Sequence, residues 1–252
     1  MTVKELYAAL SEKIPASLSE TWDNDGLSVC ADPDKTVGRV LFALDLTDAV
    51  ARYAAKTHAD VIVTHHPLIF APLSSLTTEE PIARRALYLA RKGISALSFH
   101  TRLDRLSGGV NDTLASKLHL KDVTVLGEGE VSLGRIGTLP CAMSLTEFAE
   151  RVKRALGVPF VTAHDAKHPV FRVALVGGEG KDFISAAALA GADTYLSGRL
   201  GYHAMQDAPI NLIEAGHYYT ERAATEALLR IVKEAAPSLE TEIYTPNPLS
   251  VY

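Results

Sequence analysis

Only two cysteines, Cys30 and Cys141, occur in the 252 residues. They lie far apart and form no CxxC pair. Neither a disulfide framework nor a cysteine zinc site is expected, and a reducing, cytoplasmic setting fits. No apolar run approaches the ~20 residues of a membrane-spanning helix. The opening MTVKELYAALSEKIPA reads as a charged amphipathic helix, not a leader with a long apolar core. An excess of positive charge is missing too. The formal net charge is -5, whereas a protein built to grip nucleic acid needs a basic surface. There is no low-complexity tract and no Pro/Ser-rich linker. A P-loop is lacking as well: around VGGEGKD (176–182), Leu175 stands where the first glycine belongs and Asp182 where Ser or Thr belongs. A glycine turn entering a helix retains a weak capacity to hold an anion.

What is present is the makeup of a soluble globular protein, 47% apolar and 22% charged. The length suffices for one large or two small domains with real cores. Apolar runs alternate with helical patterns. Strands are predicted near 39–45, 60–64 and 94–99, with helices near 47–57 and 80–92. The second half repeats the scheme, with strands near 171–176, 193–197 and 210–215 and helices near 182–190 and 217–235. This is the signature of β-α-β units. RVLFALDLTDAVARYAAKTHAD (39–60) aligns without a gap over RVALVGGEGKDFISAAALAGAD (172–193), although chance similarity between two such units is an open alternative. Between the halves, KDVTVLGEGEVSLGRIGTLP suggests a hairpin, followed by a helix over 145–156 and a polar HDAKHP loop. The expected architecture is α/β: two similar halves, 1–127 and 128–252, with largely parallel sheets and a metal site at the strand C-terminal edges between them.

Ligands of parallel α/β sheets gather beyond the carboxyl ends of the strands. In ADVIVTHHPLIF (59–70) a buried-strand pattern ends in His65 and His66. His100 with Asp104, and His217 with Glu221, follow two other strands, and residues four apart share a helix face. A lone histidine at a strand end is more often a turn or hydrogen-bonded core residue, and His58, His119, His164 and His168 are read so. Asp104 could cap a helix and Glu221 could be an exposed helix charge, but three such clusters favour a metal site. Adjacent histidines could serve different ions, with Asp104 and Glu221 bridging a pair ~3.5–4 Å apart. Mixed imidazole and carboxylate ligands suit Fe, Mn, Zn, Co or Ni without choosing among them. Asp45, at the same edge, either orients a histidine or caps the following helix. Asp23 and Asn24 carry a strong turn signal in DNDG.

WDNDGL (22–27), DLT (45–47), THHPLIF (64–70), HTRLD followed by GGVND (100–112) and GHYYTE (216–221) appear in the order found in the NGG-interacting-factor-three-like family. Its members are also known as GTP cyclohydrolase I type 2 homologues. The resemblance covers nearly the whole chain, in the short bacterial form. It implies a dinuclear centre, two divalent ions per chain, held by His65, His66, Asp104, His217 and Glu221. His100 would be an auxiliary or catalytic group beside them. It also implies that Trp22, Asp23 and Asn24 border the cavity and that the chain assembles as a homohexameric ring. Many relatives carry an acidic residue where this chain has Arg199. Arg199, with His203 shortly after, favours a small anionic substrate if that loop faces the cavity; a surface arginine is the alternative. The function expected is a dinuclear metal-dependent hydrolase, with Glu221 and His100 moving protons. If GTP is the substrate, the guanine imidazole ring is opened and formate released, although no guanine-recognition motif is present. A metal-delivery or interaction protein, with ions as cargo, is the competing class, and a phosphoesterase is a further alternative.

Overall fold

A computed structural model describes residues 1–127, 132–247 and 249. The chain divides into two compact units, Met1–Leu106 with Ala224–Leu249, and Ser107–Ala223. In the first unit, α1 (Val3–Lys13) starts at a capping box between Thr2 and Glu5 and buries Val3, Leu6 and Leu10. There follow β1 (Gly26–Val29), β2 (Arg39–Ala43), α2 (Asp48–Lys56), β3 (Val61–Thr64), α3 (Pro81–Lys92), β4 (Ser95–Ser98) and α4 (Thr101–Arg105). The strands β2, β3 and β4 are parallel. All four residues of β3 are buried, the continuous apolar run expected of a parallel strand covered on both faces. Pro81 pre-sets the first turn of α3, and Gly93 closes the helix in the left-handed region at φ 64°.

The second unit contains α5 (Val110–Lys117), β5 (Lys121–Val125), β6 (Arg135–Met143), α6 (Leu145–Leu156), β7 (Thr162–His164), β8 (Val170–Glu179), α7 (Ile184–Leu189), β9 (Thr194–Arg199), α8 (Tyr202–Gln206), β10 (Asn211–Glu214) and α9 (His217–Glu221). Its sheet runs β5-β6-β8-β9-β10-β7. The three strands β8, β9 and β10 are parallel, while β5, β6 and β7 join antiparallel, so this sheet is mixed. The predicted hairpin is β5–β6; residues 128–131 of its connection lie outside the described residues. The chain then returns to the first unit through α10 (Ala223–Ala235) and β11 (Glu240–Ile243). There β11 extends the sheet to β1-β4-β3-β2-β11. The helix predicted over 217–235 is two helices, parted at Arg222.

The expected cut at 127/128 differs from this division, for reasons of non-local packing. Leu114, Ala115 and Leu118 of α5 share a core with Phe148, Val170 and Leu175, and β5 pairs with β6. Meanwhile β11 pairs with β2 across about 200 residues of sequence. Among the described residues, no helix is long and apolar enough to cross a membrane.

The internal repeat is visible in strand register. Val40 lies opposite Val61 and Val173 opposite Thr194, the same 21-residue separation in both units. The Ala-Asp that closes each aligned segment has one task. Asp60 accepts from the Gly38 and Arg39 amides, and Asp193 accepts from the Phe171 and Arg172 amides. Each carboxylate thereby satisfies backbone donors where the neighbouring strand begins.

Candidate metal centre

Thr64 ends β3 with its hydroxyl donating to the His66 carbonyl at 2.7 Å, while the His66 amide donates to Leu44 O at 3.1 Å. These bonds turn the chain out of the sheet before Pro67. The His65 ring is fully buried and its Nδ1 lies 3.0 Å from Phe99 O. A carbonyl can only accept, so Nδ1 carries a proton and Nε2 is the nitrogen turned from it. That Nε2 is 3.7 Å from Asp104 Oδ1. His66 Nδ1 lies 2.7 Å from Asp45 Oδ1. Asp45 does not cap α2; Thr47 does, accepting from the Val50 amide. Asp104 is no helix cap either, since His100 occupies the N-cap of α4.

His100 is held in the same manner. Its Nδ1 lies 3.0 Å from Asp23 Oδ1, and the other oxygen of Asp23 accepts from the Thr101 amide and hydroxyl at 3.1 and 2.6 Å. Burial alone would raise the Asp23 carboxyl, but the bonds from His100 and Thr101 outweigh it and pull it down to about 2. Asn24 donates through its side chain to Ile69 O at 2.6 Å. The segment from Glu20 to Asp25 is fastened along α4 at several points. Arg105 Nη2 is 2.6 Å from Glu20 Oε1, and Asp25 Oδ2 accepts from both Arg102 Nε and the His100 amide.

Three imidazoles converge here, with ring centroids 4.9, 5.1 and 5.4 Å apart. The ligand nitrogens of His65, His66 and His100 all lie within 4.8 Å of one another. Each ring has its Nδ1 engaged by an acceptor, the outer support typical of metal-bound histidine. This donor set fits a divalent transition metal. The structure therefore groups His100 with His65 and His66, where spacing paired it with Asp104 and the family resemblance implied an auxiliary place.

In the second unit, α9 brings His217 and Glu221 together, Nε2 to Oε2 at 2.6 Å. The Glu221 side chain is 7% exposed and that of His217 46%. Glycines make this approach feasible. A Cβ on Gly178, at φ +67°, would stand 2.0 Å from Glu221 Oε1. One on Gly198 would stand 2.5 Å from Thr220 Oγ1 and 2.8 Å from His217 Cα. The Gly178 amide donates to Thr220 Oγ1 at 3.1 Å. Gly177 donates to Asn111 Oδ1 at 2.8 Å, and Asn111 is fully buried. The glycines of VGGEGK thus serve as the bed on which α9 and its carboxylate rest. Sequence reasoning passed over Gly178, Gly198, Asn111 and Thr101; the adjacent glycines at a strand end were the signal for the first of them.

Trp22 lies against His100, with ring centroids 6.2 Å apart. Arg199 is exposed at the end of β9, and His203 is exposed on the short α8 with its Nδ1 3.5 Å from Gln206 Oε1. His58 and His119 adopt positive φ of 56° and 59° after α2 and α5, and His164 Nε2 lies 3.1 Å from Ala208 O. His58 and His119 thus take the turn places read from the sequence, whereas His164, expected in the polar HDAKHP loop, ends strand β7.

A protein of Clostridium perfringens named GTP cyclohydrolase 1 type 2 homolog is 30% identical over 251 residues, covering 96% of this chain and 94% of its own. Its namesake from Nostoc is 40% identical over 199 residues, 76% of each chain. The crystal structure of Staphylococcus aureus hypothetical protein SA1388 superposes with a TM-score of 0.92 at 26% identity, covering 100% of this chain and 99% of that one. The family model described as Duf34/NIF3 (NGG1p interacting factor 3) matches residues 1–248, and the chain belongs to that family.

Proposed function

We propose that the chain is a metal-dependent hydrolase with a dinuclear centre, acting in the cytoplasm on GTP or a related small anionic substrate. Two divalent ions per chain would be held by His65, His66, Asp104, His217 and Glu221, with His100 beside them. The observation that carries this reading is the trio of imidazoles whose Nδ1 atoms are all engaged and whose ligand nitrogens lie within 4.8 Å of one another. The printed names of the relatives support the choice of GTP. When bound, such ions supply Lewis acidity, lowering the pKa of water and polarising the bond to be cut.

The chain's own groups supply orientation and proton transfer. Asp23, ionised and buried beside His100 Nδ1, stabilises a proton on that ring, as a carboxylate does behind a catalytic imidazole. His100, beside the ions and not bound to them, would thereby move a proton. Glu221 is kept in place by the glycine bed and accepts a proton at its carboxylate. Arg199 would draw an anionic substrate, and the family resemblance supports a homohexameric ring.

Formate release from GTP, by protein loaded separately with iron, manganese and zinc, tests the reading. Glu221→Gln protein of verified metal content is measured beside it. Release that depends on both metal and Glu221 is expected. Folded, fully loaded protein that releases no formate with any ion would retire GTP, and phosphoester hydrolysis and metal delivery would be tested next.

A further inference from the structure

Trp22 is the only tryptophan of the chain, and it is 59% exposed. Phe70, 50% exposed, lies beside it with ring centroids 6.0 Å apart and planes at 58°. Each ring also meets His100, Trp22 at 6.2 Å and 75°, Phe70 at 6.3 Å and 80°. Two large apolar rings therefore stand in water one ring away from the imidazole trio. Both are held there from the sequence side. Trp22 precedes Asp23, which is bonded to His100 and Thr101. Phe70 follows Ile69, whose carbonyl accepts from Asn24. Folding gains little from apolar surface left in water, so the exposed faces of the two rings are open to a contact with a ligand.

We propose that Trp22 and Phe70 select the substrate by clasping a flat, conjugated ring beside His100; this rests on the hydrolase reading above. Planes at 58° form a wedge instead of one continuous wall. A ligand ring laid on one face presents its edge to the other, and both stacked and edge-to-face contacts are favourable arrangements of aromatic rings. Stacking recognises flatness and leaves the hydrogen-bonding edge of the ring unread. The pair would thus set the substrate class, a fused heterocycle such as a purine, and hold it next to the imidazoles. A second copy of the chain is the competing occupant. The ligand ring is favoured because both aromatic rings abut His100 of the imidazole trio, and the sedimentation arm below decides against the second copy.

The lone tryptophan reports on its own environment. Its emission is titrated in metal-loaded protein with GTP, with adenosine and pterin as further flat rings, and with inorganic triphosphate as the ring-free control. Saturable quenching by at least one ring compound, and none by triphosphate, is expected. Phe70→Ala should weaken that binding about tenfold, as loss of one stacking contact does. By calorimetry, Trp22→Phe should stay within about threefold of the parent while Trp22→Ala does not. Three results would overturn the inference: emission unchanged by every ring, triphosphate reproducing the quench, or Phe70→Ala binding as tightly as the parent. Variants that break up an assembly in sedimentation while ring binding is unchanged would overturn it too, in favour of an interface. Turnover and metal content of the same samples keep the two readings apart. Ring binding without turnover upholds the clasp and retires the hydrolase, and turnover untouched by both alanine variants does the reverse.

Discussion

Replacing Gly178 by alanine separates backbone strain from damage to the centre. The residue sits at φ +67°, and its new Cβ would meet Glu221 Oε1 at 2.0 Å, Glu221 Cδ at 2.7 Å and His217 Nε2 at 3.3 Å. The left-handed backbone costs an L residue about 1–2 kcal/mol. The clash falls on the far end of a flexible side chain, so Glu221 swings aside and adds little to the loss of stability. Its carboxylate must shift by about 1 Å to reach an ordinary contact distance, which misplaces a proposed ligand. Gly191→Ala is the control, because Gly191 has φ +79° and nothing within 4 Å of the added Cβ. Both variants should lose about 1–2 kcal/mol by urea denaturation of metal-free protein. Only Gly178→Ala should also lose metal affinity, by about 10–100-fold in competition with a chromogenic chelator. Equal metal affinity in the two variants would refute the argument that Gly178 exists to let Glu221 lie where it does.

Asp23→Asn should be destabilised at neutral pH and converge on the parent in acid. A carboxyl lowered from 3.8 to about 2 contributes stability that is fully present above 3.8 and lost as pH falls towards about 2. With partial solvent screening this amounts to about 1–2 kcal/mol, read as a gap in urea midpoints that narrows between pH 5 and 2. Asp45→Ala should weaken metal binding about 10–100-fold by freeing the His66 ring, with a melting temperature close to the parent's in metal-free protein. Arg102 is 1% exposed and pairs with Asp25 at 2.8 Å, its guanidinium lying 4.6 Å from the centre of the Phe99 ring. Arg102→Met should cost about 3–5 kcal/mol by stranding a buried carboxylate, and a loss under 1 kcal/mol would show Asp25 to be solvated. His66→Ala should lower metal occupancy in elemental analysis while leaving the circular dichroism unchanged.

Much of this protein was legible in its residues. Alternating apolar runs located β2, β3, β4, β8, β9 and β10 within a few residues, because burial imposes a local period on side chains. The gap-free repeat over 39–60 and 172–193 foretold equal strand registers, and the histidine and carboxylate pairs at strand ends marked where chemistry would gather. Only the tertiary structure assigned β11 to the first sheet and α5 to the second unit, since strand pairing and core packing join segments far apart in sequence. It decided that Asp45, read from the sequence as either a histidine's partner or a helix cap, serves His66, and it alone showed that Phe99 and Asp23 hold His65 and His100. Those partners lie 21, 34 and 77 residues away. The stretch VGGEGK, which fails the P-loop pattern and offered only a weak anion turn in one dimension, supplies in Gly177 and Gly178 a bed for Glu221 in three. Periodicity and residue chemistry are written along the chain, whereas the direction of a lone pair and the need for a missing Cβ depend on neighbours that only folding supplies.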